Sequence, residues 1–198
     1  MVEIPPIHPY WERPAPKEQG EADDTMMYLC VGCALTEWER TESKFADIFA
    51  FFLQGEHRAA HRVYGTLVSG SARSDAISAA AEVFFPLRRV IEKDQASLSL
   101  LLKHIRKGAE RRNDIAHAVV TQYYINNNQR GFFLVPPDYA TRKNKLTSQP
   151  HETETMDIFP MVYRFTADDI KLFMDKFKEL GRWAYEYHQH LMALYSPR

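Results

Sequence analysis

Apolar residues recur at helical spacing along three long stretches of the chain. Over residues 26–55 they fall three, four and seven positions apart, which predicts an amphipathic helix. A second stripe covers residues 94–116. A third follows Thr166, which we expect to cap a final helix with Asp169 as the partner in a capping box.

Two shorter helices are predicted between the first two long ones. Residues 57–68 have a helical pattern of their own. Another helix follows a loop of small residues, with Ser71 or Ser74 as its N-cap, and Pro86 should stop or kink it. Glycine is unfavourable inside a helix, so Gly108 indicates a kink or a close helix crossing.

The pattern changes from helical to β-type after residue 118. The strings "VVTQYYI" and "FFLVPPDY" flank the turn "NNNQRG" and predict a β-hairpin, and "MVYRF" is expected to add a third short strand. The hairpin carries aromatic residues that could stack on nucleic-acid bases, although such residues commonly pair across strands or cover a core. These residues are Tyr123, Tyr124, Phe132 and Phe133.

The predicted fold is mainly α: an up-and-down bundle of four to five helices, with a small β-hairpin insertion before the C-terminal helix. Residues 1–22 hold five of the eleven prolines and should form an extended arm that is ordered only if it docks. Residues 23–198 then form one helical domain, with the β insertion at about residues 119–165.

The overall charge gives no reason to expect binding to a polyanion. The net charge is −1 and the isoelectric point is about 6.7, so nucleic acid would have to bind through a local patch. No apolar run approaches the roughly 20 residues that span a bilayer, and the first residues lack the apolar core of a signal peptide. We therefore expect a cytoplasmic protein with no membrane partner.

Cys30 and Cys33 are the only cysteines, and their spacing is compatible with redox or metal chemistry. A metal site would need two more ligands, and neither a second CxxC nor a close pair of histidines is expected to supply them. The surrounding residues are predicted to be helical, where cysteine behaves as a small buried apolar residue. We favour this second interpretation and predict no metal site and no cofactor.

The string "ERRNDIAHAV", residues 110–119, is the most chemically suggestive part of the chain. It ends a segment whose five basic and two acidic residues give a charge of +3, namely Lys103, Arg106, Lys107, Arg111 and Arg112 against Glu110 and Asp114. A solvated helix end that complements the helix dipole would explain this charge. A phosphate-binding site beside a proton-transfer group would also explain it.

The spacing within this string favours the second explanation. Asn113 and His117 are four residues apart, so they share one face of a continuing helix, and the side chain of Arg112 can reach the same place. Arginine has a planar donor group that matches phosphate oxygens, and histidine exchanges protons near neutral pH. A two-fold dimer about this helix would bring two copies of each group into one cleft.

The string "RNDIAH" resembles the motif of the HEPN superfamily. In that motif four to six residues separate an arginine from a histidine, and a polar residue commonly follows the arginine directly. The resemblance implies a helical bundle that dimerises and cleaves RNA without a metal, possible roles in toxin–antitoxin or defence systems, and an antitoxin or other protein as a further partner. It assigns Arg112 to phosphate binding, His117 to catalysis and Asn113 to the adjacent polar position.

Other residues fit parts of the same hypothesis. Lys107 and Arg111 are candidates for contacts with the RNA backbone, and Arg111 also fits the loose motif with His117. Arg73 could line the same cleft or simply lie at a helix start. Arg182 and His188 match the loose spacing as well, but Trp183 follows that arginine in an aromatic-rich helix. A non-catalytic bundle that binds a protein or nucleotide, or dimerises, is the alternative function.

Overall fold

The computed structural model describes residues 4–125, 128–137 and 163–195, and these residues are mainly helical. A two-stranded antiparallel hairpin precedes the last helix, as the sequence predicted. The elements are α1 (Ile7–Tyr10), α2 (Thr25–Leu53), α3 (His57–Thr66), α4 (Gly70–Arg88), α5 (Glu92–Ala116), β1 (Val119–Ile125), β2 (Asn128–Val135) and α6 (Ala167–Tyr195). None of these helices combines the length and the apolar character needed to cross a membrane.

The described residues fall into two compact units. Unit 1 consists of residues 4–12, 37–110 and 175–195. Unit 2 consists of residues 13–36, 111–125, 128–137 and 163–174. The described part of the proline-rich arm contributes to both units, with residues 4–12 in unit 1 and residues 13–22 in unit 2.

Aromatic side chains fill the core of unit 1. The ring of Phe177 contacts Trp11 and Trp38, with centroids 6.0 and 5.2 Å apart. The buried Thr41 hydroxyl donates to the carbonyl of Phe177 at 2.8 Å. Gly108 leaves room for packed aromatic rings, since a Cβ there would be 3.0 Å from the Trp38 ring and 3.2 Å from the Trp11 ring. A glycine at this position of the helix therefore serves close packing against these rings, whereas a kink or a close helix crossing there stays a prediction.

The first part of the arm is packed into unit 1. Trp11 is 4% exposed, and its indole N–H donates to Nδ1 of His104 at 2.9 Å. The Tyr10 hydroxyl donates to Glu179 at 2.7 Å. The arm therefore docks, and burial of its large indole stabilises unit 1.

Because Trp11 donates to one ring nitrogen of the fully buried His104, the other nitrogen carries the proton and donates to the Pro5 carbonyl at 2.9 Å. Burial lowers the pKa of His104. The unfolded chain therefore binds more protons below the ordinary histidine pKa of about 6.5, and stability is lost as the pH falls through that value.

We expect the free energy of unfolding of the wild type to fall between pH 7.5 and 5.5, by at most about 1.4 kcal/mol per pH unit from this one proton. Urea unfolding at the two pH values measures the change. His104→Gln keeps a polar side chain that does not titrate, so its pH dependence should be smaller. An identical pH dependence in both proteins would contradict this role of His104.

Helix α4 begins earlier than the sequence predicted. Ser69 is the N-cap, and its hydroxyl accepts from the backbone N–H of Ala72 at 3.1 Å. The expectation of Ser71 or Ser74 was wrong, because both lie inside the helix once Ser69 adopts the extended conformation of an N-cap. Pro86 lies in the final turn, so the helix does end close to this proline.

The hairpin is the centre of unit 2. Its strands pair from Val119 with Val135 to Ile125 with Asn128, so β2 includes most of the predicted turn. A bulge follows Tyr123, where Gly131 has a φ of +97° and a Cβ would meet the Glu21 carbonyl at 2.6 Å. Only glycine combines that backbone conformation with such a close approach.

Backbone hydrogen bonds join further segments to the hairpin. Glu21 forms a bridge with Phe132, and Phe165 forms a bridge with Leu134. The third strand expected from "MVYRF" is therefore limited to this single bridge in the part that is described, and residues 161–162 lie outside it. Residues 126–127 and 138–160 of the predicted insertion also lie outside the described residues.

The predicted capping box at the start of α6 is confirmed. The Thr166 backbone N–H donates to the Asp169 carboxylate at 2.9 Å, and the Asp169 backbone N–H donates to the Thr166 hydroxyl at 3.4 Å. Lys17 from the arm lies 3.2 Å from the other Asp169 oxygen. The second part of the arm is therefore tied to unit 2.

Candidate functional site

The end of helix α5 carries the motif residues. The backbone N–H of His117 donates to the carbonyl of Asn113 at 3.1 Å, so helical hydrogen bonding continues to the histidine just beyond Ala116. One turn of helix thus separates Asn113 from His117, as the spacing predicted. Strand β1 begins two residues later, which fixes where the helix stops.

The three proposed site residues lie within this last turn. Nη1 of Arg112 lies 3.4 Å from the side-chain oxygen of Asn113, a long hydrogen bond. Asn113 and His117 are exposed, and Arg112 is partly buried. An arginine, an amide and an imidazole are therefore carried on one short piece of backbone, with the last two open to solvent.

Asp114 anchors this turn to unit 2. Both of its carboxylate oxygens accept from Arg13 at 2.9 Å, and Arg111 lies 3.2 Å from one of them. The Tyr163 hydroxyl donates to the Asp114 backbone carbonyl at 2.9 Å. Burial raises the pKa of Tyr163, and the nearby Asp114 charge adds to the shift. This phenol therefore stays neutral and keeps its donated hydrogen bond.

Arg111 and Arg112 differ in their surroundings although they are adjacent. The side chain of Arg111 is 10% exposed and ion-paired with Asp114. This arrangement gives Arg111 a structural role, whereas Arg112 contacts the exposed Asn113. Arg112 is therefore the better match to the phosphate-binding position, and RNA contact by Arg111 stays a prediction.

Acidic partners account for much of the remaining basic charge. Arg106 pairs with Asp75 at 2.7 Å, and Lys107 pairs with Glu110 at 2.9 Å. Arg73 lies 3.3 Å from Glu42 and belongs to unit 1 together with Lys107. RNA contacts by Lys107 and Arg73 are predictions that no contact in the described residues tests.

The second arginine–histidine pair has other surroundings. Arg182 lies 2.9 Å from Glu186 and 3.5 Å from Glu179. His188 packs against the ring of Phe51 with centroids 5.7 Å apart, and burial lowers its pKa. The carboxylates around Arg182 would repel a phosphate, so this pair is a poor match to the motif.

The hairpin aromatics and the cysteines divide between the core and the surface. Tyr123 and Phe133 are buried against each other, whereas Tyr124 is 53% exposed. Cys30 is buried, and burial raises the pKa of its thiol, as expected for a core residue. Cys33 is exposed, so the expectation of burial was wrong for this residue.

Sequence reasoning missed one cluster of possible metal ligands. His57 and His61 are four residues apart on α3, and the ligand atoms of these histidines and of Asp47 on α2 all lie within 4.8 Å of one another. We predicted that no close histidine pair accompanies Cys30 and Cys33, and this cluster does not include either cysteine. The spacing of the two histidines was visible in the sequence, but the position of Asp47 required the fold.

Comparison with known proteins gives no relative from which a function could be transferred. No protein-family model, curated protein or solved structure matches the chain.

Proposed function

We propose that this protein is a HEPN-like, metal-independent endoribonuclease that acts in the cytoplasm, in a toxin–antitoxin or other defence setting. One observation carries the proposal: Arg112, Asn113 and the exposed His117 lie in the last turn of helix α5. Asp114 in the same turn accepts hydrogen bonds from Arg13, which holds the turn in place. A group that transfers protons must be reached by substrate, and His117 meets that condition.

The proposed reaction is a transesterification within the RNA. The 2′-oxygen attacks the adjacent phosphorus, the bond from phosphorus to the 5′-oxygen breaks, and a 2′,3′-cyclic phosphate and a 5′-hydroxyl end form. A neutral His117 accepts the proton of the 2′-hydroxyl, and the departing 5′-oxygen receives a proton from a second acid. Arg112 stabilises the charge that develops on the phosphate oxygens, and Asn113 positions the phosphate or the imidazole.

A homodimer would supply the second acid. One His117 per chain cannot be base and acid in the same step, whereas a two-fold interface brings a second His117 to the phosphate. Exposed apolar side chains on α2 are consistent with association, since Tyr28 is 58% and Leu29 is 59% exposed. The same observation favours a second candidate function, a non-catalytic dimerisation module.

Incubation with a mixed RNA pool in EDTA tests the proposed activity. We expect the wild type to cut RNA and leave ends whose phosphate resists phosphatase until acid opens the cyclic ester. The double variant Arg112→Ala/His117→Ala, purified in the same way, should leave the RNA intact and so exclude a contaminating nuclease. Equal cutting by both preparations, or an intact pool with both, would contradict the proposal, and an intact pool would favour the dimerisation module.

A further inference from the structure

We propose that Asp47, His57 and His61 form a binding site for a divalent transition-metal ion of the zinc class. His57 Nε2 lies 3.3 Å from Asp47 Oδ1, and His61 Nε2 lies 3.0 Å from the same oxygen. All three residues belong to unit 1. The site would be a metal clamp between helices α2 and α3.

The distances suit a metal ion as well as hydrogen bonds. Zinc binds imidazole nitrogen and carboxylate oxygen at about 2.0–2.2 Å, and in a tetrahedral site such ligand atoms are about 3.3 Å apart. The two imidazole rings lie close together, with centroids 4.2 Å apart and an interplanar angle of 34°. Each ring nitrogen thus already has nearly the spacing from the carboxylate oxygen that the ion requires, and all three ligand atoms lie within 4.8 Å of one another.

The ligand types also select the kind of ion. Imidazole nitrogen suits zinc, copper and nickel, whereas magnesium and calcium prefer oxygen ligands alone. Histidines at positions i and i+4 share one face of a helix, so α3 presents both rings on one side. Water would complete the coordination, as in zinc sites with three protein ligands.

Local structure holds the ligands before any ion arrives. Glu56 is the N-cap of α3, and its carboxylate accepts from the backbone N–H groups of Arg58 and Ala59, which lowers its pKa. This cap fixes the first turn of the helix, where His57 lies. Lys44 Nζ lies 3.9 Å from the other oxygen of Asp47. The lysine ammonium therefore pairs with the carboxylate oxygen that the two histidines do not contact.

One more titratable group lies near the cluster. His188 interacts electrostatically with Asp47 and His57, and burial lowers its pKa. A neutral imidazole adds no positive charge that would repel a metal ion. When both histidines are neutral, the Asp47 carboxylate gives the three proposed ligands a net charge of −1. This negative charge favours binding of a metal cation.

Zinc titration of tag-free protein that has been treated with EDTA and desalted tests the site. Calorimetry should give one Zn²⁺ per chain, and Co²⁺ should give the absorption bands of a site with mixed nitrogen and oxygen ligands. His57→Ala should raise the Kd for Zn²⁺ at least about tenfold, since even residues that only support metal ligands contribute that much. Zinc should also raise the melting temperature of the wild type but not of this variant.

Loss of folding cannot imitate loss of the site in these variants. The His57 side chain is 63% exposed, so its removal should leave the fold intact, and Asp47→Asn tests the carboxylate separately. His8→Ala is the matched control, because this histidine is exposed and also lies beside a carboxylate, that of Glu12. Equal zinc affinity in the wild type and His57→Ala, or an equal loss in His8→Ala, would overturn the proposal. Neither readout depends on ribonuclease activity.

Discussion

Replacing His117 by alanine is expected to reduce RNA cleavage in EDTA by about 10²–10⁴-fold, the contribution that one general acid–base group makes. In a dimer the substitution removes both imidazoles of the composite site, so the loss should lie at the upper end of this range. The side chain is exposed, and therefore the free energy of unfolding should change by no more than about 0.5 kcal/mol. Initial cleavage rates and urea unfolding measure the two quantities.

The control for this prediction is His8→Ala, which removes an exposed histidine outside the motif and should cleave RNA at the wild-type rate. Light scattering of wild type and His117→Ala should give the same mass, twice the chain mass of 23.1 kDa if the composite site is correct. A His117→Ala protein that cuts at the wild-type rate would show that this residue transfers no proton. A wild type that is active as a monomer would contradict the composite site.

Asp114→Ala is expected to lower the free energy of unfolding by about 3 kcal/mol, because removal of one partner leaves buried charges uncompensated. The carboxylate is 13% exposed and pairs with Arg13 and Arg111, whose side chains are 31% and 10% exposed. Arg13 can regain water in the variant, which places the loss at the lower end of the 3–5 kcal/mol range usual for a broken buried pair. Urea unfolding monitored by circular dichroism measures the loss.

Asp75→Ala is the matched control for the Asp114 prediction. Asp75 forms a shorter ion pair, 2.7 Å from Arg106, but its side chain is 69% exposed. Exposed pairs contribute about 0–1 kcal/mol, so this variant should be nearly as stable as the wild type. If Asp114→Ala were no less stable than Asp75→Ala, the anchoring role of Asp114 would be wrong.

The long helices could be predicted because their apolar stripes are local properties of the sequence. Helix α2 was expected at residues 26–55 and is found at Thr25–Leu53, and the Thr166–Asp169 capping box followed from four consecutive residues. The start of α4 could not be predicted from the sequence in the same way. Three serines compete there for one N-cap, and only the backbone conformation at Ser69 decides between them.

Docking of the arm could not be read from the sequence, because the contacts of Trp11 and Arg13 are with residues about one hundred positions away. Within the motif, the sequence predicted that Asn113 and His117 share a helix turn, and it favoured Arg112 over Arg111 only through the resemblance of "RNDIAH" to a family motif. Their different environments arise from the pairing of Arg111 with Asp114, which depends on the packing of unit 2.

The double attachment of the proline-rich start has a practical consequence for protein engineering. A shortened chain beginning at residue 23 would look attractive from composition, yet it would remove the indole that covers Gly108 and the guanidinium that neutralises Asp114. We expect such trimming to expose apolar surface of unit 1 and so to favour aggregation.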